Sequence, residues 1–296
     1  MTSVDVFYGA LCALPPQPCL PPELAEYTKA LYKIHGAALR GLGAAPPLLC
    51  LTPAALAASE TRVVLACSGG LDSVAALVWA LRTGLEVHAV FVDKLNPTIS
   101  HRELRAFYAV CAALGVPEGR QHVLTGVPNV KCSATVHVPR DGKLKECAGK
   151  NQYVLWRMLP LARELGAGVV MFGDDFEDAG HAPDHFSDTK HSFDLFLPVA
   201  AAVLGRPVTH QALPESLHSK RARIEYLWQH APEVLPLTAS CYQSARNFTR
   251  MVEAYSMPPN MCGKCFKCVR NLALLKELKI CWDAGRTPAA FVRDTT

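Results

Sequence analysis

The sequence predicts an α/β fold, a doubly wound parallel sheet with a C-terminal cysteine knuckle. Three observations carry that expectation. Apolar β-branched runs alternate with helical patterns from residue 62 to residue 213, glycines follow the helical patterns, and Cys262, Cys265 and Cys268 stand at two-residue spacing near the end. Such alternation needs crossover connections, which cover both faces of a parallel sheet with helices.

The first run, Val63-Val64-Leu65-Ala66-Cys67, ends abruptly at Ser68-Gly69-Gly70-Leu71-Asp72-Ser73, as a buried strand entering a tight turn should. Residues 74–81 then form a good helix with Gly84 just past its end, and residues 87–93 read as the second strand. A glycine-rich turn between strand and helix lets backbone N–H groups approach an anion at the positive end of the helix dipole. Ser68 and Ser73 add hydroxyl donors, and Asp72 adds a carboxylate able to hold Mg²⁺ against phosphates. The loop has no lysine and matches neither the G-x-x-x-x-G-K-[ST] nor the G-x-G-x-x-G pattern.

A helix is expected over 101–114, closed by Gly115, and a short third strand over 121–124. The polar stretch 126–149 is long for a loop in a compact domain, and loops of that length are usually functional. Residues 152–165 read as helix, 168–173 as the fourth strand and 207–213 as a fifth. Ligands collect at the carboxyl ends of strands in such sheets. Three loops leave those ends: 68–73, the segment starting at Asp93, and Gly173-Asp174-Asp175-Phe176-Glu177-Asp178. The acids of the third loop read as metal ligands or as carboxylates facing the N–H edge of a purine-like ring, with a solvated acidic turn as the plain alternative. Residues 179–196 are rich in His and Asp, but their spacing does not line one helix face. Substrate binding or acid–base work by a histidine is expected there rather than a second metal. Residues 219–227 form a basic helix whose charges read as a solvated face.

With 50% hydrophobic and 19% charged residues the 296-residue chain is globular, and a net charge of +4 neither requires nor excludes a nucleic-acid partner. No apolar run approaches a membrane span and Met1-Thr2-Ser3-Val4-Asp5 lacks a basic signal-peptide start, so a cytoplasmic location is expected. The expected organisation is a mostly helical, proline-punctuated extension over 1–60, with one helix over 23–42, a nucleotide-binding domain over 61–240, and a cysteine-bearing helical region over 241–296.

Twelve cysteines in a chain of this kind suggest metal more than disulfides. Cys262, Cys265 and Cys268 leave a tetrahedral ion one ligand short, and Cys241 in Ser240-Cys241-Tyr242 is the best fourth. A closed set of four thiolates is a structural zinc site by the usual preference; an iron–sulfur cluster on three of them is the alternative. Cys281 is expected to be a bystander.

Ser-Gly-Gly-Leu-Asp-Ser resembles the signature of the PP-loop ATP pyrophosphatases, Rossmann-like proteins that split ATP into AMP and pyrophosphate. Several further motifs follow in the order found in the QueC family, the 7-cyano-7-deazaguanine synthases. These are Lys150-Asn151 opening a helix, Glu177-Asp178 before Pro183-Asp184, Ser240-Cys241-Tyr242, and Cys262-Gly263-Lys264-Cys265 with Cys268. The resemblance spans roughly residues 62–280. It implies ATP-dependent activation of a 7-deazaguanine carboxylate as an acyl-adenylate, attack by ammonia to give an amide, and dehydration of that amide to the nitrile by a second ATP. By the same resemblance Ser68, Gly69, Gly70, Leu71, Asp72, Ser73 and Asp93 hold ATP and Mg²⁺. Asp72, Ser73, Lys150 and Asp178 are the catalytic positions, and Asn151, Asp174, Glu177, Asp178 and Asp184 face the substrate. Cys241, Cys262, Cys265 and Cys268 hold Zn²⁺, and a homodimer is implied.

The chain departs from that pattern near the pocket. Lys150 stands where the family has an arginine, and a lysine makes no bidentate fork. The family's Tyr-Ser-Gly-Tyr-Pro-Asp-Cys run is replaced by Ala179-Gly180-His181-Ala182-Pro183-Asp184-His185, and residues 1–60 are additional. Similar proteins in anti-phage operons imply an alternative in which the activated deazaguanine is joined to an acceptor protein. A PP-loop tRNA thiolase, with an iron–sulfur cluster or a persulfide on Cys132 or Cys147, is a second alternative. Asp72→Asn, being nearly isosteric, is expected to abolish turnover with the fold intact.

Overall fold

A computed structural model describes residues 62–93, 100–124, 150–173, 197, 200–201, 205, 208–211, 213–241, 260–283 and 290–293. The extension over 1–60, the 126–149 stretch, Asp174, Glu177, Asp178, Asp184, the histidine-rich run and Tyr242 lie outside them.

The strands are β1 (Arg62–Ala66), β2 (Glu86–Val92), β3 (Gln121–Leu124), β4 (Val169–Met171) and β5 (Thr209–Gln211). They form one parallel sheet in the order β3-β2-β1-β4-β5. Neighbours β2 and β3 run parallel with Ala89 opposite Gln121 and Val92 opposite Leu124. The helices of this region are α1 (Leu71–Arg82), α2 (Ser100–Ala113), α3 (Lys150–Leu165) and α4 (Lys220–His230). The doubly wound α/β expectation thus holds. Gly84, Gly115 and Gly166 follow α1, α2 and α3 with φ of 79°, 66° and 66°.

The sequence explains the depth of the core. Val63, Val64 and Leu65 of β1 are buried, and α1 buries Leu71, Val74, Ala75, Ala76, Leu77, Val78 and Ala80 on nearly every side. A helix apolar all round belongs in an interior. Strand order reverses between β1 and β4, and open α/β sheets bind ligands outside the carboxyl ends of strands at such a switch. The 68–73 loop leaves β1 there, and α1 starts at Leu71, three residues before the apolar pattern begins.

The chain divides into two compact units. One comprises residues 1–63, 130–170 and 176–211, and the other residues 64–129, 171–175 and 212–296. Within the second, α4 packs on α1, and α5 (Phe266–Glu277) packs on α4 and on β6 (Ile280–Asp283). β6 pairs antiparallel with β7 (Ala290–Arg293), Ile280 opposite Arg293. Among the described residues no helix is long and apolar enough to cross a membrane.

Candidate active site and metal centre

The 68–73 loop is held by its own hydroxyls. The Ser68 N–H donates to Ser73 Oγ at 3.1 Å, the two serine hydroxyls lie 3.2 Å apart, and the Ser73 hydroxyl donates to the Gly70 carbonyl at 3.0 Å. Gly70 is the N-cap of α1 without a side-chain cap, so the first N–H groups of the helix are left to other partners. Leu71, expected at the nucleotide, buries its side chain and donates its N–H to Ser240 Oγ at 3.0 Å.

Two glycines make this loop possible. Gly69 has φ +72°, and a Cβ there would lie 2.8 Å from the Glu103 carbonyl oxygen and 2.9 Å from the Phe107 nitrogen of α2. Gly173, after β4, passes so close to the first turn of α1 that a Cβ would lie 2.5 Å from Asp72 C and 2.5 Å from Ser73 N. The carboxyl ends of β1 and β4 therefore meet at bare backbone.

Asp72 faces two buried cations from α4. Arg223 Nη1 lies 3.0 Å from Asp72 Oδ1, and the Lys220 ammonium bonds to Oδ2. Burial alone would raise the Asp72 carboxyl, but Lys220 and Arg223 outweigh it and hold it at about 2, with Lys267 adding in the same direction. Arg223, fully buried, also donates Nε to the Leu217 carbonyl at 2.8 Å. This corrects the reading of 219–227 as a solvated face: Lys220, Arg223, Ile224 and Leu227 of α4 are buried. Ser219 caps the helix, accepting from the Ala222 N–H at 3.0 Å, and so sets Lys220 and Arg223 on one face. A signal for them was present in the sequence. Cations in the first turn of a helix oppose its dipole and call for an anionic partner.

The cysteines converge. Sγ of Cys262 and Cys268 lie 3.8 Å apart, those of Cys265 and Cys241 4.0 Å, and the four atoms fall within 4.8 Å of one another, all on buried residues. One tetrahedral ion with bonds of about 2.3 Å to sulfur sets edges of about 3.8 Å, so the set fits a single ion. The Cys262 N–H points at Cys268 Sγ and the Cys265 N–H at Cys262 Sγ, each at 3.3 Å, which stabilises thiolates. The thiol of Cys241 and then burial push Cys268 upward, a cost that a bound cation removes. Among the described residues, Cys281 is exposed and is not in the set.

Of the other expected site residues, Asp93 follows β2 and donates its N–H to the Leu124 carbonyl at 2.9 Å. Lys150 and Asn151 form the first turn of α3, in the first unit. The loop, Asp72, Lys220, Arg223 and the four cysteines all belong to the second.

Fold and loop define a Rossmann-like α/β protein with a phosphate-type loop at the sheet's switch point and a four-cysteine centre in the same unit. Residues 62–279 match the family model of queuosine biosynthesis protein QueC, and the chain belongs to that family. Use of ATP goes with this PP-loop family.

The chain is similar to the 7-cyano-7-deazaguanine synthase of Methanothrix thermoacetophila, 26% identical over 192 residues that cover 61% of this chain and 84% of the relative. It is 27% identical over 240 residues to that of Anaeromyxobacter dehalogenans, covering 72% and 91%. It is 30% identical over 138 residues to that of Alteromonas mediterranea, covering 45% and 62%. Among solved structures it is similar to the U34-tRNA thiolase NcsA from Methanococcus maripaludis with its 4Fe-4S cluster. That likeness has a TM-score of 0.41 and 11% identity, covering 92% of this chain and 84% of the other.

Proposed function

We propose that this chain is an ATP-dependent carbon–nitrogen ligase that adenylates 7-carboxy-7-deazaguanine, releases pyrophosphate and passes the acyl group to ammonia. The observation that carries the reading is the meeting of the 68–73 loop with Lys220 and Arg223 at Asp72, in a chain of the QueC family. The substrate carboxylate attacks the α-phosphorus of ATP, and the bond from that phosphorus to the bridging oxygen breaks. The products are an acyl-adenylate and pyrophosphate. Ammonia then displaces AMP to give the amide, and a second ATP takes up the amide oxygen, leaving the nitrile, AMP and pyrophosphate.

No nucleophilic side chain is needed, because the substrate supplies the nucleophile. The protein's task is to hold the triphosphate and neutralise the leaving pyrophosphate. The α1 N-terminus, Ser68, Ser73, Lys220 and Arg223 suit that task, and Asp72 orients both cations. Asp72 would help hold Mg²⁺, which would supply positive charge to the phosphates. Zn²⁺ is the ion best suited to four buried thiolates at tetrahedral spacing, with a structural role.

The test incubates the protein with ATP, Mg²⁺, 7-carboxy-7-deazaguanine and ammonium and weighs the products by mass spectrometry. Amide or nitrile with AMP and pyrophosphate is the expected outcome. Carboxylate-dependent AMP without amide would move the acyl group to an acceptor protein, and no turnover would overturn the reading.

A further inference from the structure

The phosphate loop and the cysteine centre are joined by three consecutive residues. Ala239 donates its N–H to the Gly69 carbonyl at 2.8 Å, and Ser240 Oγ accepts the Leu71 N–H at 3.0 Å. The next residue, Cys241, carries one of the four converging thiols. The two bonds grip the loop on either side of Gly70, where the chain turns into α1. The segment is itself anchored from the cysteine side. Asn260, two residues before Cys262, donates Nδ2 to the Pro236 carbonyl at 3.1 Å and to the Leu237 carbonyl at 3.0 Å. Arg102 of α2 bonds to the Cys241 carbonyl, and Gly69 rests on the backbone of the same helix. Lys267, between Cys265 and Cys268, adds its charge to the cations that hold the Asp72 carboxylate ionised.

From this continuity we infer that Ser240 is a positioning residue fastening the nucleotide loop to the cysteine centre, so that metal and triphosphate each strengthen the binding of the other. The inference rests on the reading of 68–73 as the triphosphate loop. An ion that fixes Cys241 fixes the backbone on which Ser240 rides, and Ser240 fixes the Leu71 N–H at the mouth of α1. Removing the ion loosens that chain at its first link. Linkage makes the effect reciprocal: the factor by which metal tightens nucleotide is the factor by which nucleotide tightens metal.

The experiment uses the metal-loaded protein with Mg²⁺ and α,β-methylene ATP, which occupies the loop without turnover. Calorimetry measures its affinity for the wild type, Ser240→Ala and Ser240→Thr. Transfer of metal to a chromogenic chelator is followed with and without the analogue. One hydrogen bond of ordinary net strength corresponds to roughly a five- to tenfold change in affinity. Ser240→Ala should bind the analogue weaker by about that factor with its metal content unchanged, and Ser240→Thr should restore it. In the wild type the analogue should slow metal transfer, and in Ser240→Ala, where only the Ala239 bond still joins the segment to the loop, it should slow it less. Equal affinity in wild type and Ser240→Ala, or wild-type metal transfer indifferent to the analogue, overturns the coupling. Should Ser240→Ala not fold, the wild-type transfer measurement decides alone. A wild type that binds no analogue overturns the triphosphate reading itself, an outcome separate from binding without coupling.

Discussion

Gly173 and Asp72 carry the tightest constraints on the site. A methyl group on Gly173 would enter the Asp72–Ser73 peptide at 2.5 Å, and backbone on both sides cannot swing away as a long side chain would. Gly173→Ala should therefore cost about 1–3 kcal/mol or more, as overpacking does, and should weaken nucleotide binding by tilting the first turn of α1. Thermal melting and calorimetry check it; a melting point and an affinity both equal to wild type would contradict it.

Asp72→Asn should also do more than an isosteric exchange implies. Both partners are buried, so neutralising the carboxylate leaves Lys220 and Arg223 facing each other without their counter-charge. The cost of breaking such a pair is about 3–5 kcal/mol. The pH dependence has a definite sign. The carboxyl is held at about 2 in the folded chain against an ordinary 3.8. Its contribution is complete above the ordinary value and is lost as pH falls from about 4 toward about 2. Urea midpoints of wild type and Asp72→Asn should converge across that window, and a difference independent of pH would refute the ion cluster.

The elements were largely legible because each is written locally. β3 falls on the expected residues, α1 ends short of Gly84, and Cys262, Cys265 and Cys268, at two-residue spacing, lie together with the sequence-distant Cys241. The first-turn cations of α4 were legible as wanting an anion, but which anion was not. Lys220 lies 148 residues from Asp72, and a periodicity search sees only a basic helix. Its partner appears once the sheet's crossovers bring α4 against α1. The remodelled run 179–185 and the acidic residues Asp174, Glu177 and Asp178 lie outside the described residues.

At this scale the knuckle makes its own prediction. Burial pushes Cys67 up to about 11, and burial with the charge of Cys67 pushes Cys111 up to about 12, so both stay protonated and unreactive near neutral pH. With Cys241, Cys262, Cys265 and Cys268 on metal, Cys281 is the one described cysteine that iodoacetamide should label in the loaded protein. Cys265→Ser should lose the ion and expose the remaining three to labelling, because a structural ion contributes directly to folding. Peptide mapping by mass spectrometry reads both, and full metal content in the variant would remove Cys265 from the ligand set.

Across the whole molecule, one unit carries both the 68–73 loop and the cysteine centre, and the activation of a carboxylate is proposed for that unit. Activation is separable from transfer. If the acyl-adenylate forms reversibly, labelled pyrophosphate returns into ATP whenever the carboxylate substrate is present, even with no amine acceptor. The measurement is therefore exchange of labelled pyrophosphate into ATP, with Mg²⁺, with and without 7-carboxy-7-deazaguanine, and with ammonium omitted. Exchange that depends on the carboxylate and disappears in Asp72→Asn is the expected result. Exchange that ignores the carboxylate, or none when it is supplied, would contradict it.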